Sequence, residues 1–360
     1  MRIIVGLPAL SRGPLLDTAL RLHAPVMLSA NALAKWRKEP SGIRLFAGWN
    51  TAALDRAHEL DVELHLDSAG FVAMALKGGY DWSVESYIED LCAHPAITRF
   101  SSMDLCVEPE IAANRHEVEE RLSKTINLNW SCHRIAKDLG IPERLMPVIQ
   151  GANADDYLRV WDKIAGLVRS GATIGVGSMC RRSASGPDGA IEIIDRLDRE
   201  LPKDVRLHLF GIKSDAAEAA CMFQNRIDSI DSQAYGTRAR FLANERRKTD
   251  PDFSKSNAFT ASVMEQWVRK QRARIASPRS MSIQRELPQG KGKAPAGTIL
   301  DELEALARSQ INDLIESGDL DHDQIVGGRF LEEWVMELAA ELVPGADLNT
   351  PAKQHLPLAA

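Results

Sequence analysis

Up to about residue 230 the chain alternates short apolar runs with longer segments in which apolar residues recur every three or four positions. The short runs, at 25–29, 43–47, 62–66, 98–103, 145–149, 173–176, 205–210 and 226–230, read as strands. Between them, 51–59, 83–93, 111–139, 155–169, 190–201 and 215–223 fit amphipathic helices, and Gly140 ahead of Ile141-Pro142 is a helix stop. The strand runs are too apolar for a sheet with one wet face. Strands of this kind alternating with helices predict a closed parallel (β/α)8 barrel, the TIM architecture, over residues 25–240. An open doubly wound sheet has the same periodicity and is the alternative.

The opening RIIVGLP reads as a strand and 14–23 as a short helix, together an N-terminal element (1–24) packed on the barrel. Beyond the barrel, 241–298 is a basic segment with a helix at 259–276 and a Pro-, Gly-, Ser- and Lys-rich loop at 277–297. Residues 299–360 hold two acidic helices, about 299–317 and 321–342, expected to pack against the barrel or a second subunit. The seven tryptophans are read as falling singly on helices.

Composition narrows the classes. With 44% apolar and 26% charged residues the chain is ordinary for a globular protein. No apolar run approaches the roughly 20 residues of a membrane span, and the N-terminus is too quickly polar for a secretory signal, so a cytoplasmic protein without membrane association is expected. The five cysteines have no CxxC or CxC spacing, which suits reduced thiols rather than disulfides or a metal site.

The net charge of −6 conceals a polarity. From Arg238 to Lys293, 14 Lys and Arg stand against 5 Asp and Glu; from Ala294 onward, 3 stand against 13. A basic stretch of this kind is what a polyanionic ligand requires, although a solvated helical face has the same composition.

A barrel presents its chemistry at the carboxyl ends of its strands. Those positions hold Asp67-Ser68-Ala69-Gly70-Phe71, Asp104, Gln150-Gly151, Gly175-Val176-Gly177-Ser178 and Asp231. Singly each has an ordinary explanation; an aspartate after a strand is often a helix N-cap. Jointly, three carboxylates, an amide and a glycine turn suit glycosyl chemistry on a nucleoside. One carboxylate attacks the anomeric carbon, a second moves the proton on the base nitrogen, and the third reads a purine edge with the amide. His65, Cys106 and Cys180 lie near in register but read as packing groups.

LDSAGF at 66–71 resembles the DSGGF signature of the tRNA-guanine transglycosylases, and VIQG at 148–151 resembles their VQGG. HLFGIK at 208–213 and IDSQAY at 230–235 are similar to the HLFG and FDSA segments of the archaeal branch. The resemblance covers about residues 25–240. It implies Asp231 as nucleophile, Asp67 as general acid/base, and Asp104 with Gln150 as readers of the purine. Ser68, Ala69, Gly70, Phe71, Gly151, Gly175, Val176 and Gly177 would complete the base site.

The tRNA enzymes bind zinc through a CxCxxC cluster and a distant His, whereas no cysteine follows Cys221 here. Without a zinc subdomain, and with GTRAR and a basic segment in its place, the chain looks more like the DpdA-type branch that inserts 7-deazaguanine bases into DNA. The resemblance then implies no cofactor or metal, a free preQ0-like base as co-substrate, and DNA in preference to tRNA as partner. It leaves room for an ATPase partner protein and a homodimer. Arg181, Arg182, Arg238 and Arg240 are the candidate phosphate contacts. A tRNA transglycosylase that has lost its zinc and a non-catalytic partner subunit are the alternatives.

Overall fold

The structure is a computed structural model that describes residues 1–10, 13–40, 44–74, 78–212, 214–277, 298–316, 330–343 and 345–349. In chain order the strands are β1 (Arg2–Leu7), β2 (Val26–Ser29), β3 (Ala34–Lys38), β4 (Arg44–Trp49), β5 (Leu64–Asp67), β6 (Ile97–Ser101), β7 (Leu145–Met146), β8 (Val148–Ile149), β9 (Thr173–Val176), β10 (Arg206–Leu209) and β11 (Ile227–Ser232). Nine of them form one sheet in the order β7-β6-β5-β2-β1-β11-β10-β9-β8, with every pairing parallel.

The two ends of that sheet are halves of a single run, parted only by Pro147, which has no N–H to offer a ladder. The sheet therefore closes on itself as an eight-stranded barrel. At the seam, Val148 donates its N–H to Ser102 Oγ (3.1 Å) and Asn129 Oδ1 (2.9 Å), and Asn129 Nδ2 returns a bond to Val148 O (2.9 Å). Side chains thus satisfy the backbone groups where the ladder is interrupted.

The barrel is as expected, but one of its strands is not. Arg2–Leu7, read as an element outside the barrel, lies between β2 and β11 as a full member, with every residue after Arg2 buried. Residues 43–47, read as a barrel strand, fall largely in β4, which pairs antiparallel with β3 in a separate two-stranded sheet; residue 43 lies outside the described residues. The difference follows from coverage: β1 is covered on both faces, whereas Leu45 on β4 is exposed.

The helices are α1 (Pro14–Arg21), α2 (Ala52–Glu59), the single turn α3 (Gly70–Val72), α4 (Pro109–Ala112), α5 (Arg115–Asp138), α6 (Ala154–Ile164), α7 (Ala190–Glu200), α8 (Ser214–Ala220), α9 (Ala234–Arg247), α10 (Asn257–Ala276), α11 (Ile299–Glu316) and α12 (Phe330–Leu342). Ser86–Cys92 forms a π-helical segment. Asn153, in extended conformation, caps α6 by accepting from Asp156 N at 3.0 Å. On α7, Ile191, Ile193, Ile194 and Leu197 face a core shared with β8 to β11.

α9 crosses residue 240, the boundary read from the sequence. α10 packs on α1 and α9 as part of the outer wall. Arg272 donates to the carbonyls of Leu22 and His23 (2.9 and 3.3 Å), which places this end of α10 beside the amino end of β2. Trp334, Val335 and Leu338 of α12 and Leu303, Ala307 and Ile311 of α11 join the core around β1, β2 and β5. The 277–297 loop, beyond Ser277, lies outside the described residues.

Trp36, Trp49 and Trp82 do not fall on helices. With Phe46 and Tyr80 they form one aromatic cluster with centroid separations of 4.8 to 6.3 Å between neighbours. Its inner member, Tyr80, reaches the functional end of the barrel.

Candidate active site

The carboxyl ends of the strands make the mouth. β5 ends on Asp67, and the turn after it folds back on that side chain, with Ala69 N donating to Asp67 Oδ2 at 3.0 Å. Ala69 adopts φ 70°, ψ 29°, a left-handed conformation that an L-residue enters at a cost of about 1 kcal/mol. Gly70 comes so close to Asp104 that a Cβ would lie 2.8 Å from its carbonyl oxygen. The DSAGF turn therefore seats the Asp104 segment against β5, which explains the glycine at its fourth position.

Asp104 is held on all sides. Ser68 Oγ donates to its Oδ1 (2.9 Å), Gln150 Nε2 donates to its Oδ2, and Tyr80 OH donates to its backbone carbonyl (2.8 Å). Gln150 is fixed in turn by the Ser178 hydroxyl, which donates to Oε1 and accepts from Val107 N at 2.7 Å. Gly177 lies directly against the Gln150 amide; a Cβ there would come within 2.1 Å of Nε2, so only glycine leaves that amide in place. Tyr157 OH donates to Gly177 O (2.6 Å) and pins the turn from outside.

These contacts orient two buried acids whose proton affinities are both raised. Asp67 is pushed up to about 7, first by burial and then by the charges of Asp104 and Asp231; the Ala69 amide and the Ser29 hydroxyl oppose this. Asp104 is pushed up to about 6 by burial, against the hydrogen bonds from Ser68 and Gln150. Burial also raises the Tyr80 hydroxyl well above its ordinary value, so it remains a donor.

Asp231 lies on β11, next to its last residue, and its Oδ1 accepts from Gly211 N at 2.9 Å. Gly211 has φ 58°, and a Cβ there would meet Cys180 Sγ at 2.3 Å. Asp67, Asp104 and Asp231 thus converge from β5, the loop after β6, and β11.

Other residues read from the sequence have packing partners of their own. Val176 is fully buried in the core between barrel and helices, and a Cβ at Gly175 would be filled by the Phe210 ring. Gly151 is a packing glycine under Tyr157, its carbonyl occupied by Arg182 Nη2 (2.8 Å). Arg182 is buried and donates to the carbonyls of Gly151, Ala152, Ser178 and Asp188. Arg240 is buried and bonded to Glu337 Oε2 at 2.9 Å. Most of the Arg182 guanidinium is thus engaged by backbone carbonyls, and Arg240 Nε by a carboxylate. Phe71 carries the Arg181 guanidinium over its ring at 5.0 Å, and Arg238 lies over Phe241 at 5.2 Å.

Arg182→Ala is therefore expected to act on stability. Stranding these carbonyls should cost about 3 kcal/mol in urea unfolding, while the salt dependence of nucleic-acid binding stays as in wild type.

Tyr80, Ser101 and His208 were not singled out by the sequence, and Ser178 was read only as part of the glycine turn. Ser101 Oγ accepts from Ser68 N at 2.9 Å and steadies the DSAGF turn. His208 stands inside the HLFG motif, where only the motif signals it. Tyr80 has no local signal, since its position depends on the β3–β4 hairpin.

The four segments that resemble the tRNA-guanine transglycosylase superfamily lie at the carboxyl ends of β5, β8, β10 and β11. Within that superfamily, the family described as DpdA, DeoxyPurine in DNA protein A, matches residues 51–281, well over half of the chain, and the chain belongs to it. Comparison with curated proteins gives no match. Among the described residues no group of His, Cys, Asp and Glu is arranged to hold a metal ion, and no helix is long and apolar enough to cross a membrane.

Proposed function

We propose that this protein exchanges guanine in DNA for a 7-deazaguanine base, preQ0 or a close relative, through a covalent ester between Asp231 and the nucleic acid. Membership in the DpdA family supports a transglycosylase acting on DNA. The observation that carries the chemistry is Asp67, placed with Asp104 and Asp231 and pushed up to about 7. A group titrating there serves as acid and as base at neutral pH.

In the first half of the cycle, a carboxylate oxygen of Asp231 attacks C1′ of the target nucleotide. The C1′–N9 bond breaks, and the departing guanine takes the Asp67 proton on its ring nitrogen. In the second half, the Asp67 carboxylate removes the N9 proton of the incoming deazaguanine, N9 attacks C1′, and Asp231 leaves as a carboxylate. No net proton is consumed. Asp104 and Gln150 read the Watson–Crick edge of the base.

A paired guanine must first leave the duplex, at a cost of a few kcal/mol. Arg181 and Arg238 are the retained candidates for phosphate contacts that offset it. The test incubates the purified protein with labelled preQ0 and either duplex DNA or tRNA. Label is expected in DNA. Label in tRNA alone would overturn the choice of nucleic acid, and label in neither would favour a non-catalytic subunit.

A further inference from the structure

Beneath Asp231 the barrel interior holds a line of polar side chains that the proposed exchange does not itself use. His208, fully buried on β10, places Nε2 3.3 Å from Asp231 Oδ1. Its Nδ1 lies 2.9 Å from Ser229 Oγ, and the Phe210 ring meets the imidazole edge-on at 4.5 Å, so the ring cannot turn freely. Ser229 Oγ is 3.2 Å from Asp228 Oδ2, an oxygen that Arg99 and Arg2 also approach at 3.3 and 3.5 Å.

The tautomer of His208 turns on where the single Ser229 proton goes. Asp228 Oδ2 is approached by the Arg99 and Arg2 guanidinium groups, and Ser229 Oγ lies within hydrogen-bond reach of both Asp228 Oδ2 and His208 Nδ1. With that proton given to Nδ1, the ring's own proton stands on Nε2, a buried atom that makes no hydrogen bond of its own and lies 3.3 Å from Asp231 Oδ1. Gly211 N donates to the same Oδ1, whereas among the described residues no donor reaches Oδ2.

We infer that His208 is a positioning residue for the nucleophile: with Gly211 N–H it holds Oδ1 of Asp231 and leaves Oδ2 to attack C1′. This rests on the reading of Asp231 as nucleophile. Once the ester forms through Oδ2, Oδ1 becomes its carbonyl oxygen. When the incoming base displaces the ester, the electron pair of the C1′–Oδ2 bond returns to the carboxylate, and a fixed donor at Oδ1 stabilises the charge that develops. Removing the donor should therefore slow departure of Asp231 more than its attack, so that the covalent adduct accumulates.

The experiment compares His208→Leu, His208→Gln and Ser229→Ala, using a DNA oligonucleotide and free preQ0, with adduct read on denaturing gels. His208→Leu is expected to lower kcat by about tenfold to a hundredfold. Its KM for the base should remain near wild type, and a larger share of the enzyme should be trapped as adduct. His208→Gln, whose amide N–H reaches the place of Nε2, should recover most of the rate, and Ser229→Ala should fall between. Wild-type kcat in His208→Leu would overturn the inference. So would equal losses in the Leu and Gln variants with an unchanged adduct fraction, since a steric role predicts that result. Adduct formation by wild type and its loss in Asp231→Asn report on the nucleophile separately, so the two readings fail in different lanes.

Discussion

Asp231→Asn is expected to lower base exchange by three orders of magnitude or more, equivalent to at least about 4 kcal/mol of transition-state stabilisation. The carboxamide keeps an oxygen for the Gly211 N–H that now bonds Oδ1. The fold and the purine pocket should therefore survive, and the KM for the free base should change little. What is lost is the charged oxygen that forms the ester. Single-turnover exchange of labelled guanine from an oligonucleotide measures the effect. A variant that still exchanges at a tenth of the wild-type rate would remove Asp231 from the role of nucleophile.

How much of this was legible before the structure depends on which interaction fixes each residue. Asp67, Asp104, Gln150 and Asp231 follow the ends of apolar strands, and the rule that a parallel barrel works at its carboxyl ends places them on one face without further information. Membership of the strands was less legible. Closure of the barrel brings β1 between β2 and β11, a pairing of residues more than 200 positions apart that no local pattern encodes. Arg44–Trp49 had equal claim by composition, but its aromatic residues pack sideways on Trp36 and Trp82 rather than into the barrel.

The arginines show the same limit. Arg181 and Arg182 are adjacent and chemically identical, yet one lies over Phe71 while the other is sealed under backbone carbonyls. Ser178, with φ 55°, turns the chain just ahead of both, and a sequence does not announce a left-handed serine. The basic character of the chain after residue 238 is real, but Arg272 of that segment is spent near the amino end of the barrel, opposite the mouth. Net charge there says little about where a phosphate would lie.

Asp67→Asn is expected to make the protein more stable at pH 8 while abolishing exchange. In an unfolded chain this carboxyl titrates near 3.8, and in the folded protein near 7. Below about pH 4 both states hold the proton and the group contributes nothing. Between pH 4 and 7 the folded state retains a proton that the unfolded state has released, so stability falls as pH rises; above 7 the whole penalty is present. At about 1.4 kcal/mol per pKa unit, the penalty is of order 4 kcal/mol.

Asparagine removes the charge and keeps an oxygen for the Ala69 N–H, so about 2–4 kcal/mol should be recovered at pH 8 and almost none at pH 4. Urea unfolding of wild type and variant at the two pH values checks this. Equal stabilisation at both would mean that Asp67 is not charged at a cost in the native state, and the burial that is held to poise it for proton transfer would have to be abandoned as the cause. A gain confined to high pH, together with lost exchange, would show that the free energy spent on burying this carboxylate among two others is the same free energy that sets its proton affinity for the reaction.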